Sequence, residues 1–310
     1  MNNVITGIDR SGSYRVYLAV TTQMVEEARK IHDTTPLATA GLGRVLTGAG
    51  LMGIDMKNPQ DKLTVIFKGD GPAKQILATA HQDGRVKGYI AEPECDLPLR
   101  PGGKLDVGGS LGIGDLTVIK DLGLKEPYVG TIALVSGEIA EDLTAYYYIS
   151  EQQNTAISLG VKVDKDWSVK AAGGLFIQML PGAAEEAVDA LEAMLKELPP
   201  ITAVIEDAAS GNPALSMEGL LDKMMGSVFG TMPEEYRVQA LSYRELRWEC
   251  DCSYERLEQV LASIGEKDLR EIIEEDGEAE LTCQFCRKKY HFDRDVLLDI
   301  LKTHTNGSEV

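Results

Sequence analysis

Glu249-Cys250-Asp251-Cys252, followed after thirty residues by Cys283-Gln284-Phe285-Cys286, is the pattern that decides how the C-terminal part of this chain folds. The protein has five cysteines, and four of them lie in these two pairs. Thiols clustered in this way indicate one of four arrangements: a disulfide framework, a catalytic dithiol, a structural metal site, or a metal site that is meant to be broken.

The remainder of the chain argues against the disulfide framework. The N-terminus lacks a basic start followed by an apolar run, so no signal peptide is expected. We also find no stretch of the roughly 18 apolar residues that a membrane helix needs. The sequence therefore predicts a cytoplasmic protein, and a reducing thiol pool disfavours permanent disulfides there.

Two close cysteine pairs can supply four thiolates at tetrahedral zinc distances. A module of about sixty residues with few large apolar side chains is too small to be stable without an additional cross-link. A structural zinc ion supplies roughly 10–16 kcal/mol of apparent binding free energy. The sequence predicts one zinc ion per chain, held by Cys250, Cys252, Cys283 and Cys286. His291 is an alternative ligand, but with four cysteines available we expect it to be a partly exposed strand residue.

The nature of the zinc site is open at this point. A purely structural site is the commonest kind, yet each pair could close an internal disulfide without large backbone motion, and a disulfide across C-x-C would be strained and easily reduced. Arg287, Lys288 and Lys289, beside Cys286, should favour thiolate character in the pair Cys283 and Cys286. These properties permit a redox switch but do not require one.

The fifth cysteine and the remaining motifs carry no catalytic signature. Acidic neighbours should raise the pKa of Cys95, so we expect it to be inert. Glycine-rich segments 43–48 and 108–114 depart from phosphate-loop and dinucleotide patterns, and we expect turns or tight helix packing. Ser136 and Ser150 have no histidine in their sequence context, which leaves distant partners open, and the lone His32 and His81 are expected to be structural.

The net charge of −18 lies mostly in the second half of the chain. Residues 183–235 carry 11 acidic against 2 basic residues, and residues 250–280 carry 11 against 3. Such segments repel phosphate backbones, which argues against nucleic acid as the main partner.

The sequence predicts an α+β fold with three parts. Residues 1–182 alternate short β-like runs such as Tyr14–Val20 with helical segments such as Pro36–Met56, which indicates a mostly antiparallel sheet with helices. Residues 183–236 form a helical linker, and residues 237–310 form a small C-terminal zinc-binding domain. We expect the core domain to end near the glycine-rich segment 171–182.

The linker has two helical pieces, and Gly211-Asn212-Pro213 separates them. It contains five of the ten methionines, namely Met194, Met217, Met224, Met225 and Met232. Methionine-rich surfaces suit poorly defined apolar partners, but position alone favours methionines that fill a helical core.

Several segments together resemble the redox-regulated bacterial heat-shock protein 33 chaperones, over essentially the whole chain. The cysteine pairs have the spacing of that family, whereas Cys95 is not part of its pattern. Four further segments resemble signatures of that family: Lys120–Tyr128, Leu134–Asp142, Tyr148–Gln152 and Gly173–Gly182.

The resemblance implies an ATP-independent holdase, not an enzyme, that is inactive when reduced and zinc-bound. Oxidation would form the disulfides Cys250–Cys252 and Cys283–Cys286, release zinc, loosen the metastable linker and expose a surface for unfolding client proteins. It also implies a homodimer in the oxidised form and transfer of clients to ATP-dependent foldase chaperones.

Two alternatives compete with this interpretation. One is a constitutive structural zinc-module interaction protein whose metal never leaves. The other is a dithiol oxidoreductase that uses Cys283 and Cys286, although the residues around them do not resemble the strand-to-helix context of thioredoxin-like motifs. The methionine content of the linker favours the holdase.

Overall fold

A computed structural model describes residues 2–210 and 214–306 of the chain. The fold divides after Glu249 into two compact units, 1–249 and 250–310. The predicted break at 211–213 lies outside the described residues; the helices on either side of it end at Ala209 and begin at Met217.

Strands of the first unit form two sheets. They are β1 Val4–Asp9, β2 Tyr14–Val20, β3 Lys62–Gly69, β4 Gln75–His81, β5 Arg85–Ile90, β6 Gly114–Asp121, β7 Tyr128–Ala133, β8 Thr155–Val163, β9 Val169–Met179, β10 Val238–Arg244 and β11 Arg247–Trp248. One sheet has the order β10-β1-β2-β9-β8 and the other β11-β5-β4-β3-β6-β7. Pairing is antiparallel except between β11 and β5, which confirms the predicted α+β class with a mostly antiparallel sheet.

The helices of the first unit lie between and outside these sheets. They are α1 Thr22–His32, α2 Pro36–Ile54, α3 Val107–Leu111, α4 Ala140–Ser150, α5 Glu185–Glu197, α6 Ile201–Ala209 and α7 Met217–Phe229. Helix α2 packs against strands of both sheets, and 17 of its 19 residues are buried. This helix is long and apolar enough to cross a membrane, contrary to the sequence expectation, but its burial is that of a core helix.

The glycines of the two glycine-rich segments allow neighbouring groups to pack closely. A Cβ atom on Gly43 in α2 would lie 2.5 Å from the side chain of Val25 and 2.8 Å from that of Val161. A Cβ atom on Gly114 would lie 1.9 Å from the carbonyl oxygen of Lys68. Segments 43–48 and 108–114 are therefore sites of tight packing, as predicted.

The glycine-rich segment near the predicted end of the core domain forms strand β9 and the turn at residues 181–182 that follows it. β9 pairs with β2 on one side and β8 on the other. Gly173 is needed there because a Cβ atom would lie 2.4 Å from the carbonyl oxygen of Ala19. The glycines of this strand allow neighbouring backbones to approach closely, and the end of the core domain near residue 182 stays a prediction.

Helices α5, α6 and α7 cover the face of the five-stranded sheet that does not face α2. Together with Ile5, Leu18 and Leu175 of that sheet they form a second hydrophobic core. Met224 and Met225 of α7 are buried in this core. The methionines that were predicted to fill a helical core do so in this structure.

The second unit begins later than the predicted residue 237. β10 pairs along its whole length with β1, and β11 pairs with β5, so both strands belong to the sheets of the first unit. The sequence prediction missed them because strand partners more than 150 residues away leave no local signal. Whether 183–236 behaves as a separate, metastable segment stays a prediction.

The second unit, from Cys250 onward, contains three helices and one hairpin. They are α8 Tyr254–Ser263, α9 Glu266–Glu275, β12 Ala279–Thr282, β13 Lys289–Phe292 and α10 Arg294–Asn306. Ser253 caps α8 by accepting a hydrogen bond from the Arg256 amide at 3.2 Å, and Asp293 caps α10 through the Val296 amide at 3.0 Å, as predicted. Its core is small: the rings of Tyr254 and Phe292 stack 4.5 Å apart, beside leucines and isoleucines from the helices.

Candidate metal centre

The hairpin β12–β13 positions the second cysteine pair. Thr282 pairs with Lys289, and the loop between them carries Cys283 and Cys286. Inside the loop the Cys283 amide donates to the carbonyl of Lys288, and the Arg287 amide donates to the carbonyl of Cys283, both at 2.9 Å. The loop is therefore a tight turn that holds both sulfurs on one side.

The first pair lies immediately before α8. Cys252 precedes the capping residue Ser253, so the start of the helix fixes its backbone. Asp251, between the two cysteines, accepts a hydrogen bond from Arg256 at 2.9 Å, which ties the segment to the first turn of α8. Two regular elements thus present two cysteines each to a common point.

The four sulfur atoms lie within 4.8 Å of one another. Cys250 and Cys283 are separated by 3.7 Å between sulfurs, and Cys252 and Cys286 by 3.3 Å. A tetrahedron with zinc–sulfur bonds of about 2.3 Å has edges of about 3.8 Å, so this cluster has the size of a tetrahedral thiolate site. All four predicted ligands are brought together, and they fit a metal ion such as zinc.

Tyr290 on β13 completes the surroundings of the cluster. Its hydroxyl group lies 3.2 Å from both the sulfur and the carbonyl oxygen of Cys252, so these two acceptors share its single proton. Sequence analysis missed this residue, since a tyrosine four positions after a cysteine has no distinctive pattern. Second-layer contacts of this kind orient metal ligands and tune their basicity.

The thiols titrate unequally because their surroundings differ. Burial raises the pKa of Cys250 and that of Cys286. Burial also acts to raise the pKa of Cys252, but hydrogen bonds from Tyr290 and from the neighbouring thiols outweigh it and lower this pKa to about 7. Cys252 is therefore the thiol most readily ionised of these three.

The predicted effect of the basic residues 287–289 on Cys286 was wrong. The ammonium group of Lys288 lies over the ring of Tyr290, 5.0 Å from its centre, and that of Lys289 pairs with Glu280 at 2.8 Å. With these charges directed elsewhere, burial dominates at Cys286.

The remaining candidates lie apart from the cluster. His291 is an exposed residue of β13, 3.5 Å from Glu278, as predicted. Cys95 is buried in the first unit, where burial, Asp96 and Glu92 raise its pKa to about 11; this agrees with the predicted raised pKa. His32 is buried with its Nε2 3.0 Å from the carbonyl oxygen of Gly88. The other three are spread over separate elements: Ser136 before α4, Ser150 at its end and His81 at the end of β4.

The segment Leu134–Asp142 proves to be a buried backbone clamp. The Asp142 carboxylate is fully buried and accepts hydrogen bonds from the amides of Val135, Ser136, Gly137 and Ile139, at 2.7 to 3.2 Å. These bonds hold Ile139 at a φ of 72°, a strained conformation for a β-branched residue. The segment therefore has a structural role at the start of α4.

Comparison with known proteins agrees with this architecture. A family model described as "Hsp33 protein" matches residues 2–293. The chain belongs to the Hsp33 family. Relatives include a protein named "33 kDa chaperonin" from Alkaliphilus oremlandii, 47% identical over 297 residues that cover 96% of this chain and 95% of the relative. Another of the same name, from Clostridium botulinum, is 44% identical over 306 residues, covering 98% and 99%.

A solved structure shares the family fold. The crystal structure of a 33 kDa chaperonin from Thermotoga maritima matches with a TM-score of 0.84 and 33% identity, over 99% of this chain and 100% of that one. The sequence resemblance to this family is thereby confirmed.

Proposed function

We propose that this protein is a redox-regulated, ATP-independent chaperone of the cytoplasm, a holdase that binds unfolding proteins and prevents their aggregation. The observation that carries the proposal is the cluster of four sulfurs within 4.8 Å in a unit whose hydrophobic core is small. Membership of the Hsp33 family, whose relatives are named chaperonins, supports it.

In the reduced protein, Cys250, Cys252, Cys283 and Cys286 would hold one zinc ion. Thiolates are soft ligands suited to zinc, which would supply four bonds that join the hairpin to the start of α8. The buried side chain of Cys283 belongs to the core of the second unit, so metal binding and packing of this unit are coupled.

Peroxide or hypochlorite would convert the thiols to two disulfides, Cys250–Cys252 and Cys283–Cys286. Each disulfide forms as two thiols lose two electrons and two protons to the oxidant, which for peroxide yields two molecules of water. The sulfurs then no longer serve as thiolate ligands, and the second unit loses the bonds that complete its small core. The short contacts, Cys250 to Cys283 and Cys252 to Cys286, run between the pairs, so the pairing within each pair rests on the family resemblance.

Loosening of the linker 183–236 would then expose the apolar sheet face that α5, α6 and α7 cover. That face includes Val16, Leu18, Leu175 and Ile177, all buried beneath these helices. An apolar face without a fixed partner binds unfolded segments of many sequences. The oxidised protein would form a homodimer and later pass its clients to ATP-dependent foldase chaperones.

Aggregation of a thermally unfolding client, followed by light scattering without ATP, tests this function. The oxidised protein should suppress aggregation and the reduced protein should not. C250S/C252S should lose the oxidant response, whereas C95S should retain it. A constitutive zinc-module protein would give no oxidant-dependent protection, and a dithiol oxidoreductase would instead turn over a disulfide substrate at catalytic concentration.

A further inference from the structure

A groove of about 640 Å³ runs along the free edge of β8 in the first unit. Among the described strands β9 alone pairs with β8, so alternate amide and carbonyl groups of β8 face away from the sheet. The first three residues of β8, 155–157, lie in the floor of the groove. An open strand edge beside a groove can accept an additional strand.

The two walls of the groove come from opposite faces of the sheet. Thr144 and Tyr148 of α4 line one wall, and Leu191 and Leu195 of α5 line the other. Successive residues of β8 follow the same division, because Ile157 packs with the core beneath α4 and Ala156 with the core beneath α5. A strand added to β8 would direct alternate side chains towards these two walls.

The rim of the groove is acidic. Glu141 on the α4 side and Glu192 on the α5 side are exposed, and neither forms an ion pair in the described parts of the chain. A second copy of this protein would bring the same carboxylates together against a net charge of −18, which disfavours pairing between two β8 edges. A segment with basic residues beside its apolar ones fits the rim.

One polar atom in the groove lacks a partner. The hydroxyl oxygen of Thr155 is buried without a hydrogen-bond partner among the described residues. A buried hydroxyl without a partner costs free energy, and a ligand backbone passing along the start of β8 would bring donors and acceptors to this position.

We propose that this groove binds an extended apolar segment with basic residues, from an unfolding protein, as an additional strand on β8. The inference rests on the proposed holdase function and names a contact site for its clients. The groove is present with the linker helices docked, so it provides a weak first contact before the larger sheet face is exposed. Binding of one short segment would be weak, and several contacts together would be needed to retain a client.

The test uses the full-length reduced protein loaded with zinc and a fluorescent peptide of alternating valine and threonine with a lysine near each end. Fluorescence anisotropy should give saturable binding. N-methylation of alternate peptide amides, which removes strand pairing and leaves the side chains unchanged, should abolish it. Replacement of the lysines by glutamates should also abolish it.

Variants assign the binding to the groove. E141K/E192K should weaken binding about tenfold, since two attractive contacts become repulsive. E185K/E186K makes the same change in charge on exposed residues of α5 outside the groove and should change binding less than about twofold. T155V should weaken binding and leave thermal stability unchanged or raised, because it removes a hydroxyl without a partner.

Equal losses in the two charge variants, binding that tolerates N-methylation, or absence of binding would overturn the assignment. The assignment would also be overturned if the protein formed oligomers that dissociate when the peptide is added, because the groove would then bind a second copy. If the oxidised protein still suppresses aggregation in any of these cases, the groove assignment fails and the proposed function stands. If the peptide binds as expected but oxidised protein never protects a client, the proposed function fails.

Discussion

The hydroxyl of Tyr290 lies 3.2 Å from the sulfur of Cys252, a cysteine of the cluster whose pKa is lowered to about 7. The ring of Tyr290 is buried in the core of the second unit, so its hydroxyl is fixed with respect to that sulfur. A residue of the hydrophobic core thereby contacts a sulfur of the cluster that could hold a metal ion. This contact links packing of the small unit to its affinity for metal.

Replacing Tyr290 by phenylalanine tests that link. Y290F keeps the ring in the core and removes the hydrogen bond to Cys252, so we expect zinc affinity to fall about tenfold. Competition with a colorimetric chelator measures it. Y243F, which removes an exposed hydroxyl bonded to Asp222 in the first unit, is the control and should leave zinc affinity unchanged. Equal affinities for Y290F and wild type would show that the hydroxyl does not influence the cluster.

The ammonium group of Lys223 on α7 caps the C-terminus of α6. It donates to the carbonyl oxygen of Ala208 at 2.9 Å and to those of Asp207 and Ser210 at 3.3 Å. K223M removes these bonds and the favourable charge at the helix end, which should cost about 1 kcal/mol of local stability.

Hydrogen exchange of the α6 amides, 201–209, measures this effect. We expect exchange through local opening to be about fivefold faster in K223M. K196M changes an exposed lysine of α5 and should leave α6 unaffected. Equally faster hydrogen exchange throughout both units would mean that Lys223 affects the stability of the whole fold and not that of the linker alone.

Asp142 should be among the most sensitive positions of the first unit. D142A leaves four amide groups without their acceptor, at residues 135–139, and should destabilise the fold by about 3 kcal/mol. Thermal denaturation measures the loss. D189A, at an exposed position of α5, should change stability by less than about 0.5 kcal/mol. A small loss in D142A would mean that water or a rearranged loop replaces the carboxylate.

The stability of the first unit should also depend on pH, because the carboxyl group of Glu26 titrates differently in the folded protein. Hydrogen bonds from Arg29, the first of several contributions, lower the pKa of Glu26 from its ordinary 4.5 to about 2. A lowered carboxyl pKa contributes stability that is present above pH 4.5 and is lost as the pH falls towards 2. E26Q should therefore reduce the free energy of unfolding at pH 7 and flatten its decline between these pH values.

Glu27 provides a control of opposite sign. Burial raises the pKa of Glu27, so its charged form is disfavoured in the fold. E27Q should not lower stability at pH 7. Chemical denaturation at several pH values compares the two variants, and identical pH profiles for E26Q and wild type would contradict the role assigned to Arg29.

Local chemistry made much of the second unit predictable. Cysteine spacing identified all four sulfurs of the cluster, and Ser253 and Asp293 identified the starts of α8 and α10. Capping and metal ligation depend on residues near one another in the sequence or on a distinctive residue type. Tyr290 was not predicted because its contact with Cys252 exists only once the hairpin has folded against the first cysteine pair.

Long-range pairing accounts for what the sequence did not reveal in the first unit. β10 is a short segment without a buried residue, and its pairing with β1 makes it a strand of the core sheet. The need for glycine at position 173 of β9 likewise depends on the neighbouring backbone of Ala19. Tertiary contacts outweighed local pattern at both places.

We propose above all that loss of metal and gain of client binding are one event. It is tested most directly by following zinc release with a colour-forming chelator while peroxide is added at a mild heat-stress temperature, with suppression of client aggregation measured in the same samples. The account predicts that zinc leaves as ATP-free protection appears, and that a thiol reductant with zinc reverses both. Zinc that stays bound, or that leaves without any gain in protection, would contradict it.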